Sequence, residues 1–286
     1  MKEKTCIVSE SMTLIDFLKG TLNEYTAKKI KSFIKYNMIE VDGKIANKAT
    51  EIVKGGSTVK IYFTKRLINE FELNIIFEDE DLIAIDKPAG LLSISNSKEK
   101  ELTAFRLVSD YIKKDHKNAK LFVVHRLDQG TSGVLMFAKN RNIQETLQKS
   151  WNDIVSKREY IAVVEGRMNK SGTIESHLAM NHFQKVYSTR DVENGWYART
   201  HYKLLKYKNN YSLLEVNIDT GRRNQIRVHM SEQGHPVTGD KKYGAKKNPI
   251  NRLALHASKL HFVDPRSGKM MQLSAPVPLE LEKLTE

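Results

Sequence analysis

The sequence predicts an α+β protein whose main domain is built on a mixed, mainly antiparallel β-sheet. Short apolar runs that suit buried strands recur along most of the chain. Neighbouring runs are not regularly separated by helical crossover segments, which a doubly wound parallel sheet would require. The chain has 286 residues, 40% of them hydrophobic, and this is enough apolar material for one medium-sized domain with a small appendage.

Residues 1–64 are predicted to form the appendage, with two helices followed by a small sheet. The second helix is expected at Thr26–Tyr36, because apolar residues recur there with the 3.6-residue period of a helix. The pair Asp42-Gly43 stands between apolar residues and indicates a tight hairpin, and residues 57–63 are typical of a final strand. The polar side of the second helix forms either an RNA-binding stripe or an ordinary solvated face. Its lysines are Lys28, Lys31 and Lys35.

Residues 65–74 are predicted to form a charged linker, and residues 75–286 the main domain. Each expected strand there is a short apolar run, and each expected helix has helical periodicity. The predicted strands are Leu82–Ile85, Leu121–Val124, Val134–Ala138, Tyr160–Val164, Thr200–Tyr207, Tyr211–Ile218 and Lys259–Val263. The predicted helices are Ala104–Lys114, Ile143–Val155 and Asn224–Gln233.

Basic residues outnumber acidic ones, with 47 Lys and Arg against 34 Asp and Glu, which gives a formal net charge of +13. A field of this sign concentrates polyanions near the surface and speeds their encounter with the protein. Nucleic acid is therefore the expected partner. Charge alone also fits a merely basic protein, because clustering of the charges matters more than their total.

The sequence also indicates a compartment. No stretch approaches the roughly 20 apolar residues that cross a bilayer, and the Lys- and Glu-rich beginning lacks the apolar segment of a signal peptide. We therefore expect a cytoplasmic protein that contacts no membrane. Cys6 is the only cysteine, so neither an intramolecular disulfide nor a cysteine-built zinc site can form, which agrees with a reducing compartment.

The most informative segment is Val123–Asn140, which has the sequence VVHRLDQGTSGVLMFAKN. Its apolar run Val134–Ala138 is typical of a buried strand, whereas the residues before it are polar and turn-forming. Arg126 and Asp128 are thus expected in a loop at the mouth of a rigid sheet. Such loops often carry catalytic groups, but an Arg-x-Asp sequence is also a common surface ion pair.

The string HRLDQGTSGVLMFAK resembles the HRLDxxTSG signature of the RluA-like pseudouridine synthases, which isomerise uridines in ribosomal and transfer RNA. Other strings are similar to further motifs of this family, namely FEDEDLIAIDKPAGLLSI upstream, and TGRRNQIRVHM, GHPVTGDKKYG and LALHASKLHF downstream. These blocks keep the family's order over about 200 residues, which is far more specific than any single motif. The resemblance implies an RNA pseudouridine synthase with the mixed, mainly antiparallel sheet of that family.

The resemblance also implies roles for individual residues. It implies Asp128 as the catalytic carboxylate, Arg227 as the arginine paired with it, and Tyr160 as a tyrosine that packs on the target base and transfers a proton at C5. Arg126 corresponds to the arginine that acts when the target nucleotide is flipped out of folded RNA. Residues near the pocket mouth are then expected to contact phosphates. These are His125, Lys139, Arg222 and Arg223.

The order of elements in residues 1–64 resembles the αL-type (S-four-type) RNA-binding domain that is often fused to these synthases. This module favours large-subunit ribosomal RNA as the substrate, with transfer RNA as the alternative. The chain departs from the family at two places. Ala27-Lys28 replaces a serine-arginine pair that commonly opens the second helix, and Arg223-Asn224 stands where the family usually has threonine and histidine.

Isomerisation to pseudouridine breaks the bond between N1 of the base and C1′ of ribose, turns the base and rejoins it through C5. A carboxylate suits this chemistry, because it can add to C1′ or remove the neighbouring sugar proton to form a glycal. The sequence leaves both routes open. In a pocket that excludes water, an adjacent arginine favours the ionised carboxylate. Without the resemblance, Arg227 is better explained as a phosphate contact and Tyr160 as a core tyrosine.

No metal or cofactor is expected. The histidines lack a zinc-binding spacing, and Lys87–Gly90 lacks the glycine-rich cradle of a phosphate loop. Two other functions stay open, an RNA-binding protein with a silent site and a hydrolase that releases the base. The hydrolase is disfavoured, because glycoside hydrolysis generally uses a second carboxylate and none is obvious. The partner is RNA, and no protein partner is implied.

Overall fold

The computed structural model describes residues 3–35, 38–63, 73–97, 99 and 102–286. The chain folds into two compact units, residues 1–70 and 71–286. Most of the predicted linker, 65–74, lies outside the described residues, and its last residue, Asn74, already belongs to a strand. Within the described ranges, no helix is both long enough and apolar enough to cross a membrane.

The first unit has two helices and several short strands among its described residues. These elements are β1 (Glu3–Ile7), β2 (Met12–Thr13), α1 (Leu14–Thr21), α2 (Ala27–Lys35), β3 (Ile39–Val41), β4 (Lys44–Ile45), β5 (Ile52–Val53) and β6 (Thr58–Tyr62). Strands β1, β6, β3 and β4 form an antiparallel sheet in this order, and β2 pairs with β5. The expected order, with both helices before the sheet, is wrong because β1 comes first. Its side chains are exposed or half-buried, so no apolar run marks this strand in the sequence.

Helix α2 confirms the predicted amphipathic segment. Ile30, Phe33 and Ile34 are at most 4% exposed and pack into the core of the first unit. Lys28 and Lys31 are exposed, whereas the side chain of Lys35 lies outside the described part of the chain.

The turn between β3 and β4 confirms the predicted hairpin. Asp42 (φ 49°) and Gly43 (φ 77°) both adopt the left-handed conformation that a type I′ turn requires. The carboxylate of Asp42 accepts a 2.8 Å hydrogen bond from the backbone N–H of Thr58, which ties the turn to β6.

The second unit is built on one large sheet. Its elements are β7 (Asn74–Glu78), β8 (Leu82–Lys87), α3 (Ala104–Asp115), β9 (Phe122–Val123), β10 (Ser132–Ala138), α4 (Arg141–Lys149), α5 (Trp151–Ile154), β11 (Val155–Glu165), β12 (Ser171–Met180), β13 (Val186–Thr189), β14 (Trp196–Lys208), β15 (Tyr211–Ile218), α6 (Gln225–Glu232), β16 (Leu255–Val263), β17 (Met270–Ser274) and α7 (Leu279–Glu282). The strand order is β13-β12-β14-β15-β11-β16-β10-β8-β7, with β17 beside β16 and β9 beside β10. Only β10 and β16 pair in parallel among these described strands, which confirms the predicted mixed, mainly antiparallel sheet.

Each predicted strand of the main domain is present, although several are longer than expected. The apolar run at Leu121–Val124 yields only the two-residue β9. Strands β7, β12, β13 and β17 were not predicted. Most of their side chains are exposed or half-buried, so pairing with neighbouring strands defines them rather than a local apolar pattern.

The predicted helices at Ala104–Lys114 and Asn224–Gln233 are confirmed within one residue at each end. The third, Ile143–Val155, is divided into α4 and α5 at Ser150, and Val155 already begins β11. The periodicity of this segment continues through the break, which is why the sequence did not reveal it.

The loop that carries Asp128 is anchored where β10 meets β16. Every residue of β10 is buried. Gly133 has φ 110°, and a Cβ at this position would lie 2.1 Å from the backbone oxygen of Ala257. Only glycine therefore allows the two parallel strands to approach here. This close approach fixes the position at which the Asp128 loop ends and β10 begins.

Candidate active site

One pocket of the second unit contains most of the residues that the sequence singled out in this unit. Its cavity volume is about 470 Å³. The walls come from the loop before β10, from α4 and α5, from β11, and from the segment that leads into α6. The predicted residues among those that line it are His125, Arg126, Asp128, Tyr160, Arg222, Arg223 and Arg227.

The end of β8 and the segment that follows it contact the loop that carries Asp128. Lys87 is fully buried, and its ammonium donates to the backbone oxygens of Pro88 and Leu91 at 2.9 and 2.7 Å. Burial, followed by the charge of Arg252, lowers the pKa of Lys87 to about 7. The Ser93 hydroxyl bridges the backbone N–H and C=O of Leu127 at 3.0 and 2.7 Å. The backbone N–H of Gly90 donates to the backbone oxygen of Gln129 at 2.8 Å, so the turn at residues 87–90 supports the loop.

Arg227 reaches the pocket from α6 and contacts two carboxylates. Its Nη1 donates to Asp128 Oδ2 at 3.2 Å. Its Nε and Nη2 donate to the two oxygens of Asp240 at 2.6 and 2.8 Å, in the bidentate geometry that a guanidinium fork favours. Burial opposes the charge of Arg227, but the hydrogen bonds and charge of Asp240, and then those of Asp128, raise its pKa above the ordinary value.

The two carboxylates are not equivalent. The Asp240 side chain is 1% exposed and uses both oxygens on Arg227. The Asp128 side chain is 26% exposed and receives a single hydrogen bond from Arg227. With both carboxylates ionised, the three side chains carry one net negative charge, and Asp128 presents it to the pocket. One oxygen of Asp128 therefore stays available for a ligand.

Tyr160 lies on β11 and lines the same pocket. Its side chain is partly buried and packs against two apolar clusters of this unit. Burial, with a smaller contribution from the negative charge of Asp128, raises the pKa of Tyr160 to about 12. The phenol is therefore protonated at neutral pH and can act as a hydrogen-bond or proton donor. Asp128, Tyr160 and Arg227 are thus brought together although 99 residues separate the first from the last.

The opening of the pocket carries three exposed arginines. Arg222 donates to the backbone oxygen of Tyr197 at 3.0 Å, and Arg223 donates to Gln184 Oε1 at 3.3 Å. Within the described residues, Arg126 has no hydrogen bond or ion pair, and its side chain is exposed. Each of these guanidinium groups therefore has N–H donors that are available to an anionic ligand.

Two of the predicted phosphate contacts differ from the arginines in their surroundings. Lys139 does not line the pocket, because its ammonium donates to Glu78 Oε1 and to the backbone oxygen of Asp79, both at 2.6 Å. His125 lines the pocket but is not a cation. Its Nε2 accepts a 3.1 Å hydrogen bond from the backbone N–H of Met136, and burial, followed by the charge of Arg158, lowers its pKa to about 4.

Sequence reasoning missed several residues of the site. Asp240 follows the string GHPVTG, which matched a family motif without suggesting a partner for Arg227. The ring of Tyr243 lies 5.0 Å from the guanidinium of Arg227. Trp151 packs on His125 with ring centroids 5.1 Å apart, and Arg158 lines the opposite wall and donates to the backbone oxygen of Asp219. None of these contacts joins neighbours in the chain, so no local pattern marks them.

Comparisons with known proteins find RNA pseudouridine synthases. A family model described as RNA pseudouridylate synthase matches residues 81–232. An uncharacterized RNA pseudouridine synthase of Bacillus subtilis, YhcT, is 36% identical over 241 residues, which cover 82% of this chain and 80% of the relative. Ribosomal large subunit pseudouridine synthase D of Escherichia coli K12 is 31% identical, with 99% and 93% of the two chains covered. The structure of Human RNA Pseudouridylate Synthase Domain Containing 1 covers 74% of this chain and 87% of its own, with 23% identity and a TM-score of 0.60, and shares the fold.

The matched family and the fold define an RNA pseudouridine synthase, an isomerase whose substrate is RNA. The family model covers more than half of the chain, and the relatives exceed 30% identity over most of it. The chain belongs to the RluA-like family of these enzymes, as its motifs predicted.

Proposed function

We propose that this enzyme isomerises specific uridines of large-subunit ribosomal RNA, with Asp128 as the catalytic carboxylate. The observation that carries the proposal is the position of Asp128 in an open pocket, with one oxygen held by Arg227 and the other available. Relatives named as ribosomal large subunit pseudouridine synthase D, 31% identical over nearly the whole chain, support this choice of RNA.

In the proposed mechanism, the target uridine is flipped out of the RNA and enters the pocket. Asp128 either adds to C1′ or takes the C2′ proton to give a glycal, and the bond between C1′ and N1 breaks. The detached base turns and a bond forms between C5 and C1′. In the first route the bond from Asp128 to C1′ breaks at this point, and in the second the proton returns from Asp128 to C2′, so that the carboxylate is regenerated in both. The C5 proton is then lost while N1 gains one. The reaction therefore balances without metal, cofactor or net proton change.

The surrounding residues support these steps. Arg227 donates to Asp128 at 3.2 Å and so fixes the position of this carboxylate, and a preorganised cation acts most strongly where water is excluded. Tyr160 faces the base with a protonated phenol and is proposed to take part in the proton transfer at C5. Arg126 is proposed to occupy the space that the flipped nucleotide leaves, and Arg222 and Arg223 to contact phosphates.

The first unit is proposed to be an αL-type RNA-binding domain that adds affinity. Two helices, a small antiparallel sheet and the exposed Lys28 and Lys31 on α2 support this assignment. Lys35 belongs to the same proposed stripe by its place in the sequence.

Chemical mapping of pseudouridine in RNA from a deletion strain tests the proposal. We expect at least one pseudouridine of large-subunit ribosomal RNA to disappear, and to return when the wild-type gene, but not Asp128→Asn, is supplied. Loss of a site in transfer RNA instead would replace the proposed substrate. Identical maps of ribosomal and transfer RNA would favour an RNA-binding protein with a silent site, and release of free uracil would indicate a hydrolase.

A further inference from the structure

Asn224 occupies an unusual position at the beginning of α6. It is 7% exposed and has φ 56° and ψ 17°, so its backbone is left-handed. An asparagine that precedes a helix usually caps it by accepting from a backbone N–H. The Asn224 side chain makes no such bond. The side-chain amide therefore forms hydrogen bonds with other groups instead of capping the helix.

That amide connects two residues beside the catalytic carboxylate. Asn224 Oδ1 accepts from Arg227 Nη1 at 3.0 Å, and Asn224 Nδ2 donates to the hydroxyl oxygen of Tyr243 at 3.0 Å. Arginine can only donate, so the amide oxygen must face Arg227. The same Tyr243 oxygen accepts from the backbone N–H of Val186 at 3.2 Å, which fixes it on the other side.

The guanidinium of Arg227 is consequently held along two edges. Asp240 takes Nε and Nη2, whereas Asn224 and Asp128 share Nη1. Both partners of Nη1 line the pocket, but only Asp128 reacts in the proposed mechanism. If Asp128 were the sole partner of Nη1, the guanidinium could tilt about the edge that is bound to Asp240 as the charge and position of Asp128 change.

We infer that Asn224 is a positioning residue, which holds Nη1 of Arg227 in place so that one N–H stays directed at Asp128 throughout the reaction. The inference rests on the proposed role of Asp128. Asparagine tolerates a left-handed backbone and offers both an acceptor for Arg227 and a donor for Tyr243.

Two variants separate the side chain from the backbone. Asn224→Gly keeps the left-handed conformation without strain and removes the amide, and Asn224→Asp keeps an acceptor for Arg227. Asn251→Gly is the matched control, because Asn251 is also left-handed (φ 55°), is exposed and does not line the pocket. The substrate is an unmodified transcript of large-subunit ribosomal RNA. Measurements are the single-turnover rate, the Kd for RNA and the thermal midpoint.

We expect Asn224→Gly to lower the single-turnover rate about tenfold, the effect of losing one hydrogen bond to a charged group, while Kd stays within about twofold. Asn224→Asp should recover most of this loss, and Asn251→Gly should match the wild type. A rate for Asn224→Gly within twofold of Asn251→Gly overturns the inference. A parallel fall in rate, RNA affinity and thermal midpoint that Asn224→Asp does not repair also overturns it, because it indicates a merely structural role.

A second measurement does not depend on the RNA. In ¹⁵N NMR spectra, the Nη protons of Arg227, assigned through Arg227→Lys, should be resolved in the wild type, Asn224→Asp and Asn251→Gly, and lost through rotation and exchange in Asn224→Gly. Unchanged Nη signals in Asn224→Gly would refute the positioning role. If the wild type does not convert the transcript, the proposed substrate fails, and the NMR comparison alone decides the role of Asn224.

Discussion

The charged side chains at the floor of the pocket are buried or half-buried and hydrogen-bonded, whereas those at its rim are exposed. The floor is Asp128, Arg227 and Asp240, where each side chain is at most 26% exposed. The rim is Arg126, Arg222 and Arg223, all of them exposed. A buried charge is tolerated only when it is paired and hydrogen-bonded, so the floor is fixed by several bonds. Exposed arginines keep rotamer freedom and can adapt to the shape of an RNA.

This contrast separates two kinds of effect. Changes in the floor should alter the rate of isomerisation, because the geometry around Asp128 sets the reaction. Changes in the rim should alter RNA affinity and its dependence on salt, because phosphate contacts release counterions. A variant of either region that shows the opposite behaviour would break the comparison.

The largest effect is expected for Asp128→Asn. The amide has nearly the same shape but cannot act as nucleophile or base, so the single-turnover rate should fall at least about 10³-fold. Binding of RNA should change by less than about threefold. Turnover equal to the wild type would remove Asp128 from the mechanism.

Asp240→Asn should come next. It leaves the charge of Arg227 without its bidentate partner, and breaking a buried ion pair costs about 3–5 kcal/mol of unfolding free energy. The rate should fall as well, because Arg227 would be free to turn towards Asp128. Urea unfolding and single-turnover assays measure both effects. Glu80→Gln, which breaks an exposed pair with Arg266, is the control and should leave the unfolding midpoint unchanged.

Tyr160→Phe should lower the rate about 10²-fold, as expected for the loss of a group that transfers protons. The ring and its packing remain, so RNA affinity and stability should be preserved. Tyr202→Phe is a matched control, since Tyr202 packs against the same core but does not line the pocket. Equal rates for the two variants would assign Tyr160 to the core alone.

The rim should respond through binding. Replacing Arg222 and Arg223 by alanine should weaken RNA binding several-fold and reduce the slope of log Kd against log salt by about 1 for each lost phosphate contact. The rate at saturating enzyme should be nearly unchanged. Arg266→Ala, an exposed arginine outside the pocket, controls for net charge. A loss of rate without a loss of affinity would show that these arginines act on the reaction, as the residues of the floor do.

The last effect concerns the pH dependence of stability and tests whether His125, like the residues of the floor, keeps one charge state in the folded protein. Burial lowers the pKa of His125 to about 4, so between pH 4 and its ordinary value of 6.5 the unfolded chain binds a proton that the folded chain does not. Stability should therefore rise with pH in this window, by up to about 1.4 kcal/mol per pH unit for this residue. His125→Gln should reduce that slope in urea unfolding between pH 4 and 7. An unchanged slope would show that His125 is already charged in the folded protein.

The sequence by itself determined the family, the fold class and the identity of the central residues. Asp128 lies in a turn-forming string that leads into a buried strand, and Arg227 stands on a helix with clear periodicity, so both could be located by local pattern and motif. The hairpin at Asp42-Gly43 was predictable for the same reason, because its conformation depends on those two residues.

Only the tertiary structure decided how these parts meet. The pairing of Arg227 with Asp240, the hydrogen bond from Asn224 to Tyr243 and the bond that His125 accepts from Met136 each join residues more than ten positions apart in the chain. Strands β7, β12, β13 and β17 are likewise defined by their neighbours rather than by their own side chains. Hydrogen bonds and burial are properties of the folded protein. The sequence shows only which residues are able to form hydrogen bonds or to be buried.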